Sequence, residues 1–185
     1  MKKIVVLFSG EGSNLSYLLQ QLHKKKLEIA AAITNNPEAG GIAIAREYGV
    51  PVEIVDHRDF ADRDTFDREL VKRIENYSPD LTVLAGFMRI LTPLFAESVR
   101  AINLHPSLLP RHRGLDAIRR SWEDEQPEGG VTVHWVSAEL DGGEMILQYE
   151  LEKEGFESYE EYHDAIRRIE KEALAEAICD VLKCD

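Results

Sequence analysis

Cysteine is nearly absent from this chain: Cys179 and Cys184 are the only two among 185 residues. That excludes a disulfide framework and fits a reducing compartment. Long apolar runs are missing as well. No stretch approaches the roughly 18 residues a spanning helix needs, and the N-terminal run IVVLF ends at a glycine-containing turn where a leader peptide would have to continue. Positive charge is scarce. Against 34 acidic residues stand 22 Lys and Arg, the net charge is -12, and the longest basic block is HKKK at residues 23–26. The footprint that nucleic-acid phosphates demand is therefore lacking. No His/Cys/Asp pattern has metal-ligand spacing, so no metal is expected. No serine sits in a nucleophile elbow. These absences predict a soluble, cytoplasmic, single-domain protein that engages neither membrane nor nucleic acid.

What is present is an alternating grammar of strands and helices. Runs at residues 4–8 (IVVLF), 29–33 (IAAAI), 50–55 (VPVEIV), 80–87 (DLTVLAGF) and 101–105 (AINLH) are apolar enough for strands buried on both faces. Between them, Leu15, Leu18, Leu19 and Leu22 recur at helical spacing, IAIAREYG reads as a short helix ended by Gly49, and Phe66, Leu70, Ile74 and Tyr77 share a face of a helix that Asp64 can cap. This pattern predicts an α/β, doubly wound, mostly parallel, Rossmann-like sheet. From Gly129 onward two strand-like runs, VTVHWVS and MILQYELE, flank AELDGGE, which predicts an antiparallel C-terminal addition. Ser158 and Glu161 have capping-box spacing before a long final helix, with Tyr159, Tyr162, Ile166, Ile169, Ala173, Ala177 and Val181 on one side.

Three short stretches carry candidate chemistry. FSGEGSN joins the first strand to the first helix, where backbone N–H groups favour an anion. A dinucleotide fingerprint needs a third glycine where Leu15 stands and a carboxylate near ITNNP, and no Walker lysine follows. A single-phosphate cradle or a plain tight turn, with Ser13 or Asn14 capping the helix, remain the two readings. In INLHPSLLP, residues two apart in a strand point the same way, so Asn103 and His105 project together from the ligand-binding edge of the sheet. An amide and an imidazole there suit an oxyanion or proton transfer; a polar strand end satisfying its own loop is the alternative. In ELDGGE, Asp141 could orient a histidine, with glycines keeping the loop open to a ligand, or the stretch could be a hairpin turn. His134, within TVHWV, reads as a supporting residue or a packed strand histidine.

Taken in order, VLFSGEGSNL, FDRELV, PDLTVLAGFMRIL, INLHPSLLP and GVTVHWVSAELDGGEMILQ resemble the folate-dependent phosphoribosylglycinamide formyltransferase family over almost the whole chain. The resemblance implies formyl transfer from 10-formyltetrahydrofolate, as co-substrate, to glycinamide ribonucleotide in purine synthesis. It implies Asn103, His105 and Asp141 as catalytic residues. Gly10, Glu11, Gly12, Ser13 and Asn14 would hold the phosphate, with Arg63 near it and Glu170 on the ribose. Met88, Arg89, Ile90, Leu91, Val136, Leu140, Asp141, Gly142 and Gly143 would line the folate pocket. It also makes Leu109–Pro110 a candidate cis bond. The single domain, 1–185, would divide into a phosphate-binding part (about 1–100) and a folate-binding, catalytic part (about 85–185), working as a monomer or homodimer. Two positions depart from the pattern: Asp116 replaces a usual histidine, and so could repel Asp141, and Glu144 replaces a usual proline. The nearest alternatives are another folate-dependent formyltransferase, a formyltetrahydrofolate hydrolase, or a folate-binding protein without turnover. A tRNA formyltransferase is disfavoured by the acidic charge and by a chain end that leaves no room for a tRNA-binding domain. A regulatory domain of the hydrolase kind is not expected.

Overall fold

The computed structural model describes residues 1–184. It begins with β1 (Lys3–Phe8), α1 (Ser13–Gln21), β2 (Glu28–Thr34), α2 (Gly41–Glu47) and β3 (Val52–Ile54). A 3-10 turn (His57–Asp59) leads to α3 (Arg63–Glu75), β4 (Leu81–Leu84), α4 (Pro93–Ser98) and β5 (Ala101–His105). The chain ends with α5 (Ala117–Glu123), β6 (Glu128–Trp135), β7 (Met145–Glu152) and α6 (Tyr159–Leu182). All seven strands form one sheet in the order β3-β2-β1-β4-β5-β6-β7. β1 to β5 are parallel, and β6 and β7 add antiparallel. The strand order reverses between β1 and β4, and a doubly wound sheet opens a crevice at the carboxyl ends of the strands flanking such a reversal.

Alternation along β1 explains the continuous apolar runs. Ile4, Val6 and Phe8 join a core under α1, α2 and α6, while Val5 and Leu7 join a second core under α3 and α4. Each fully buried aliphatic of this kind contributes roughly 1.5–3 kcal/mol. The side chain that caps α3 is Asp62, not Asp64: its carboxylate accepts from Thr65 N at 2.7 Å. Ser158 caps α6 by accepting from Glu161 N at 3.2 Å, and the Glu161 carboxylate reaches back to Glu157 N at 2.9 Å. The buried side of α6 is rotated from the aromatic-led stripe. It holds Tyr162, Ala165, Ile166, Glu170, Ala173, Leu174, Ala177, Ile178 and Leu182, with Tyr159, Ile169 and Val181 only partly covered. α4 and α5 have no counterpart in the sequence reading.

Candidate active site at the carboxyl ends of β1, β4 and β5

The turn after β1 is built around Gly12, whose φ is 79°. A Cβ there would lie 2.6 Å from the Gly41 Cα, so close approach of α1 and α2 demands glycine as much as the turn does. Gly12 is also the helix N-cap, without a side-chain bond, so neither Ser13 nor Asn14 caps the helix. The first-turn N–H groups of α1 thus receive no side-chain cap. Asn14 is buried, its Oδ1 has no partner, and its side chain bonds Glu170. Glu170 is only 2% exposed and accepts from Arg167 Nη1 at 3.1 Å. Burial drives its carboxyl above the ordinary range, against the opposing pull of Arg167 and Asn14. Arg63 occupies the first position of α3, exposed, with no hydrogen bond or ion pair from its side chain among the described residues.

Ser9, which the sequence reading passed over, ties this turn to the loop after β4. Its N–H donates to Gly86 O at 3.1 Å, and its Oγ accepts from Met88 N at 2.8 Å while donating to Asn35 Oδ1 at 2.5 Å. Asn35 Nδ2 continues to His57 Nδ1 at 3.2 Å. The signal was available: Ser9, Asn35 and His57 each follow a parallel strand, β1, β2 and β3 respectively. In the loop beyond, Met88 and Ile90 are exposed, whereas the Arg89 guanidinium turns back over the Phe66 ring at 5.7 Å. Leu91 and Val136 pack against the second core. Buried Asp67 pins the end of this loop, accepting from Thr92 N and Oγ1, both at 2.7 Å.

Asn103 and His105 end β5, and the antiparallel pairing sets Asn103 opposite His134 and His105 opposite Thr132. His134 Nδ1 lies 2.9 Å from the Trp135 carbonyl, so that nitrogen carries the proton and Nε2 accepts from Asn103 Nδ2 at 3.3 Å. Burial holds the His134 imidazole below its ordinary value, opposed by its bond to Trp135 and the charge of Asp141. Asp141, with φ 52°, sets Oδ2 3.4 Å from His105 Nδ1 and Oδ1 3.7 Å from His134 Nε2. Oδ2 also accepts from Gly114 N at 2.9 Å. His105 Nε2 faces the His112 carbonyl at 2.8 Å. Both ring nitrogens of His105 therefore face acceptors only, an environment that the doubly protonated ring satisfies completely.

The loop following β5 is strapped down from several sides. Thr132 Oγ1 donates to Ser107 O at 2.7 Å and accepts from Leu109 N at 3.1 Å; Leu109–Pro110 is cis. Arg113 pairs with Glu139 across the two loops. Asp116 is exposed in a left-handed conformation at the N-cap of α5, two residues after Gly114, whose N–H donates to Asp141. Leu140 is exposed. A Cβ on Gly142 would meet the flexible Glu139 side chain at 2.6 Å, but one on Gly143 would overlap the Trp135 carbonyl oxygen. The second glycine of DGG is thus required by backbone packing against β6, independent of any ligand. Among the described residues no three His, Cys, Asp or Glu side chains form a metal-binding group, and no helix is long and apolar enough to cross a membrane.

The resulting arrangement brings an amide, an imidazole and a carboxylate together at the end of β5, a geometry suited to stabilising an oxyanion and moving a proton. The sequence profile described as formyl transferase matches residues 2–178. Phosphoribosylglycinamide formyltransferase of Escherichia coli is 43% identical over 149 residues, covering 78% of this chain and 70% of that one. The crystal structure of phosphoribosylglycinamide formyltransferase from Campylobacter jejuni is similar with a TM-score of 0.95 and 45% identity, covering 98% of this chain and 97% of that chain. Glycinamide ribonucleotide transformylase 1 from Symbiobacterium toebii gives a TM-score of 0.91 at 34% identity, with 96% and 86% covered. This chain belongs to the formyl transferase family.

Proposed function

We propose that the residues converging on Asp141 carry out formyl transfer from 10-formyltetrahydrofolate to the amine of glycinamide ribonucleotide. The enzyme is a phosphoribosylglycinamide formyltransferase of purine synthesis, with the reduced folate as co-substrate. The observation that carries the assignment of residues is the placing of Asp141 between two histidines, Oδ2 3.4 Å from His105 Nδ1 and Oδ1 3.7 Å from His134 Nε2, the nitrogen that holds the Asn103 amide at 3.3 Å.

The substrate amine is itself the nucleophile, so the protein needs no covalent one. As the amine nitrogen bonds to the formyl carbon, charge develops on the formyl oxygen. The Asn103 amide and the His105 imidazolium donate to that oxygen; one such donor is worth roughly 3–4 kcal/mol in the transition state. The C–N10 bond then breaks, and the Asp141 carboxylate passes the proton lost by the amine to N10. His134, neutral and donating to Trp135, orients the Asn103 amide through its Nε2 lone pair.

Gly10, Glu11, Gly12, Ser13 and Asn14 take the phosphate on backbone N–H groups, with Arg63 approaching from α3 and Glu170 binding the ribose. Met88, Arg89, Ile90, Leu91, Val136, Leu140, Gly142 and Gly143 line the folate side, Arg89 through its backbone. The division into a phosphate-binding part (about 1–100) and a folate-binding, catalytic part (about 85–185) follows. The protein works in the cytoplasm without nucleic acid, as a monomer or homodimer.

The test combines purified protein, a 10-formyl folate analogue and glycinamide ribonucleotide, and follows loss of the formyl group. Amine-dependent turnover is expected, abolished by His105→Ala. Turnover without the amine identifies a hydrolase instead, and tight folate binding without turnover identifies a binding protein.

A further inference from the structure

We infer that His112 is a positioning residue for His105: by fixing Nε2 it makes Nδ1 the working nitrogen of the ring. The inference rests on the catalytic role given to His105 above.

A carbonyl oxygen only accepts, so the 2.8 Å contact with His112 O requires a proton on His105 Nε2 and commits that nitrogen to the loop. Nδ1 is placed differently. Its 3.4 Å separation from Asp141 Oδ2 is longer than an optimal N–H···O bond, so its proton can be shared with a reacting oxygen. Nδ1 also faces Asp141, whose other oxygen lies 3.7 Å from the His134 nitrogen that holds the Asn103 amide. One nitrogen is the anchor and the other is the donor.

The anchor needs its own support, because His112 has φ 58°, a left-handed conformation that non-glycine residues rarely adopt. Its side chain supplies that support. His112 Nε2 lies 2.5 Å from Asp124 Oδ2, at the end of α5. The other Asp124 oxygen accepts from Lys153 Nζ at 2.6 Å, just beyond β7, and from Gln126 N at 2.9 Å. Burial of Asp124 is outweighed by its bonds to Lys153 and His112, and its carboxyl is held down at about 2. The remaining charges facing this group are Arg111, whose Nη1 is 3.9 Å from Asp124, and Glu128, which pairs with Arg111 Nη2 at 3.2 Å. Ser107 Oγ steadies the same turn by donating to Arg111 O at 2.6 Å. Asp124, itself held by Lys153 from the end of β7, thus braces the His112 imidazole, and among the described residues the contact from His112 to His105 is made by its own backbone carbonyl.

The decisive variants are His112→Gly, which adopts the left-handed backbone freely while losing the ring, and His112→Gln, whose amide can still donate to Asp124. Steady-state kinetics are read beside 15N imidazole spectra of His105. For His112→Gly the expected result is a fall in kcat of roughly 10- to 100-fold with both KM values changed by less than about threefold. Faster exchange of the His105 Nε2 proton should accompany it, and His112→Gln should recover most of the rate. Should the glycine variant fold poorly, Asp124→Ala, which removes the acceptor for His112 Nε2, is expected to give the same kinetic and spectral pattern. A normal kcat in His112→Gly overturns the inference, as does a fall in kcat that leaves the His105 spectrum unchanged. If His105→Ala itself retains near-normal kcat, the catalytic assignment fails, a result distinct from failure of the buttress alone.

Discussion

Replacing Asp141 by Asn removes a charge while preserving the shape of the site. The residue sits at φ 52°, and Asn tolerates the left-handed region better than most residues, so the backbone has no reason to move. Asn Oδ1 can keep accepting from Gly114 N, now at 2.9 Å. What is lost is the field on His105. At 3.4 Å and an effective dielectric constant of about 20, a carboxylate and an imidazolium attract by about 5 kcal/mol. Part of that attraction already acts before the reaction, so the share felt only in the transition state is smaller, roughly 3–4 kcal/mol, as for loss of one preorganised oxyanion donor. Asp141→Asn should therefore lower kcat by about 10²- to 10³-fold. KM for glycinamide ribonucleotide should change little, because the turn proposed to hold the phosphate follows β1, whereas Asp141 lies in the loop after β6. Initial rates of formyl loss across a matrix of both substrate concentrations measure the two separately, and a thermal melt checks that the fold survives. A kcat within about threefold of wild type, in a protein that melts normally, would refute the role of the carboxylate.

Other perturbations test the surrounding framework. Glu170 titrates above its ordinary 4.5 because it is buried, so its contribution to stability is present below 4.5 and is lost as pH rises through the folded value. Glu170→Gln should accordingly raise Tm at pH 7 while raising KM for the ribonucleotide, visible in melts and initial rates. Asp124 behaves in the opposite sense: depressed from 3.8 to about 2, it contributes stability above 3.8 that disappears as pH falls towards 2. That contribution is roughly 2 kcal/mol, so Asp124→Asn should lower the urea midpoint at pH 7 and flatten the acid limb of a stability–pH profile. Gly143→Ala should cost about 1–3 kcal/mol in urea unfolding, since the added methyl meets the Trp135 carbonyl that His134 bonds.

Composition and periodicity were sufficient for the class of fold. A strand buried on both faces must be apolar throughout, so the runs at 4–8, 29–33 and 101–105 announced parallel strands, and the period-two rule put Asn103 and His105 on one side. Helices α4 and α5 escaped because six and seven residues give a weak 3.6-residue period and, unlike α2 with Gly49 just beyond its end, neither is closed by a glycine. The buried face of α6 was misjudged because Glu170 lies inside it, held there by Arg167 and Asn14, and a carboxylate reads as a surface residue until its partners are known.

The sequence by itself determined which local elements form and which residue types stand at the ends of the strands, because those depend on neighbours a few positions apart. Only the tertiary structure decided what each of them faces. The pairing of β5 with β6 set His134 against Asn103, the hairpin loop carried Asp141 to His105, and Asp124, held by Lys153, closed on His112. Such contacts arise from strand order and register, which no periodicity encodes. That is why the imidazole of His105 could be located from its spacing, while the division of labour between its two nitrogens could not.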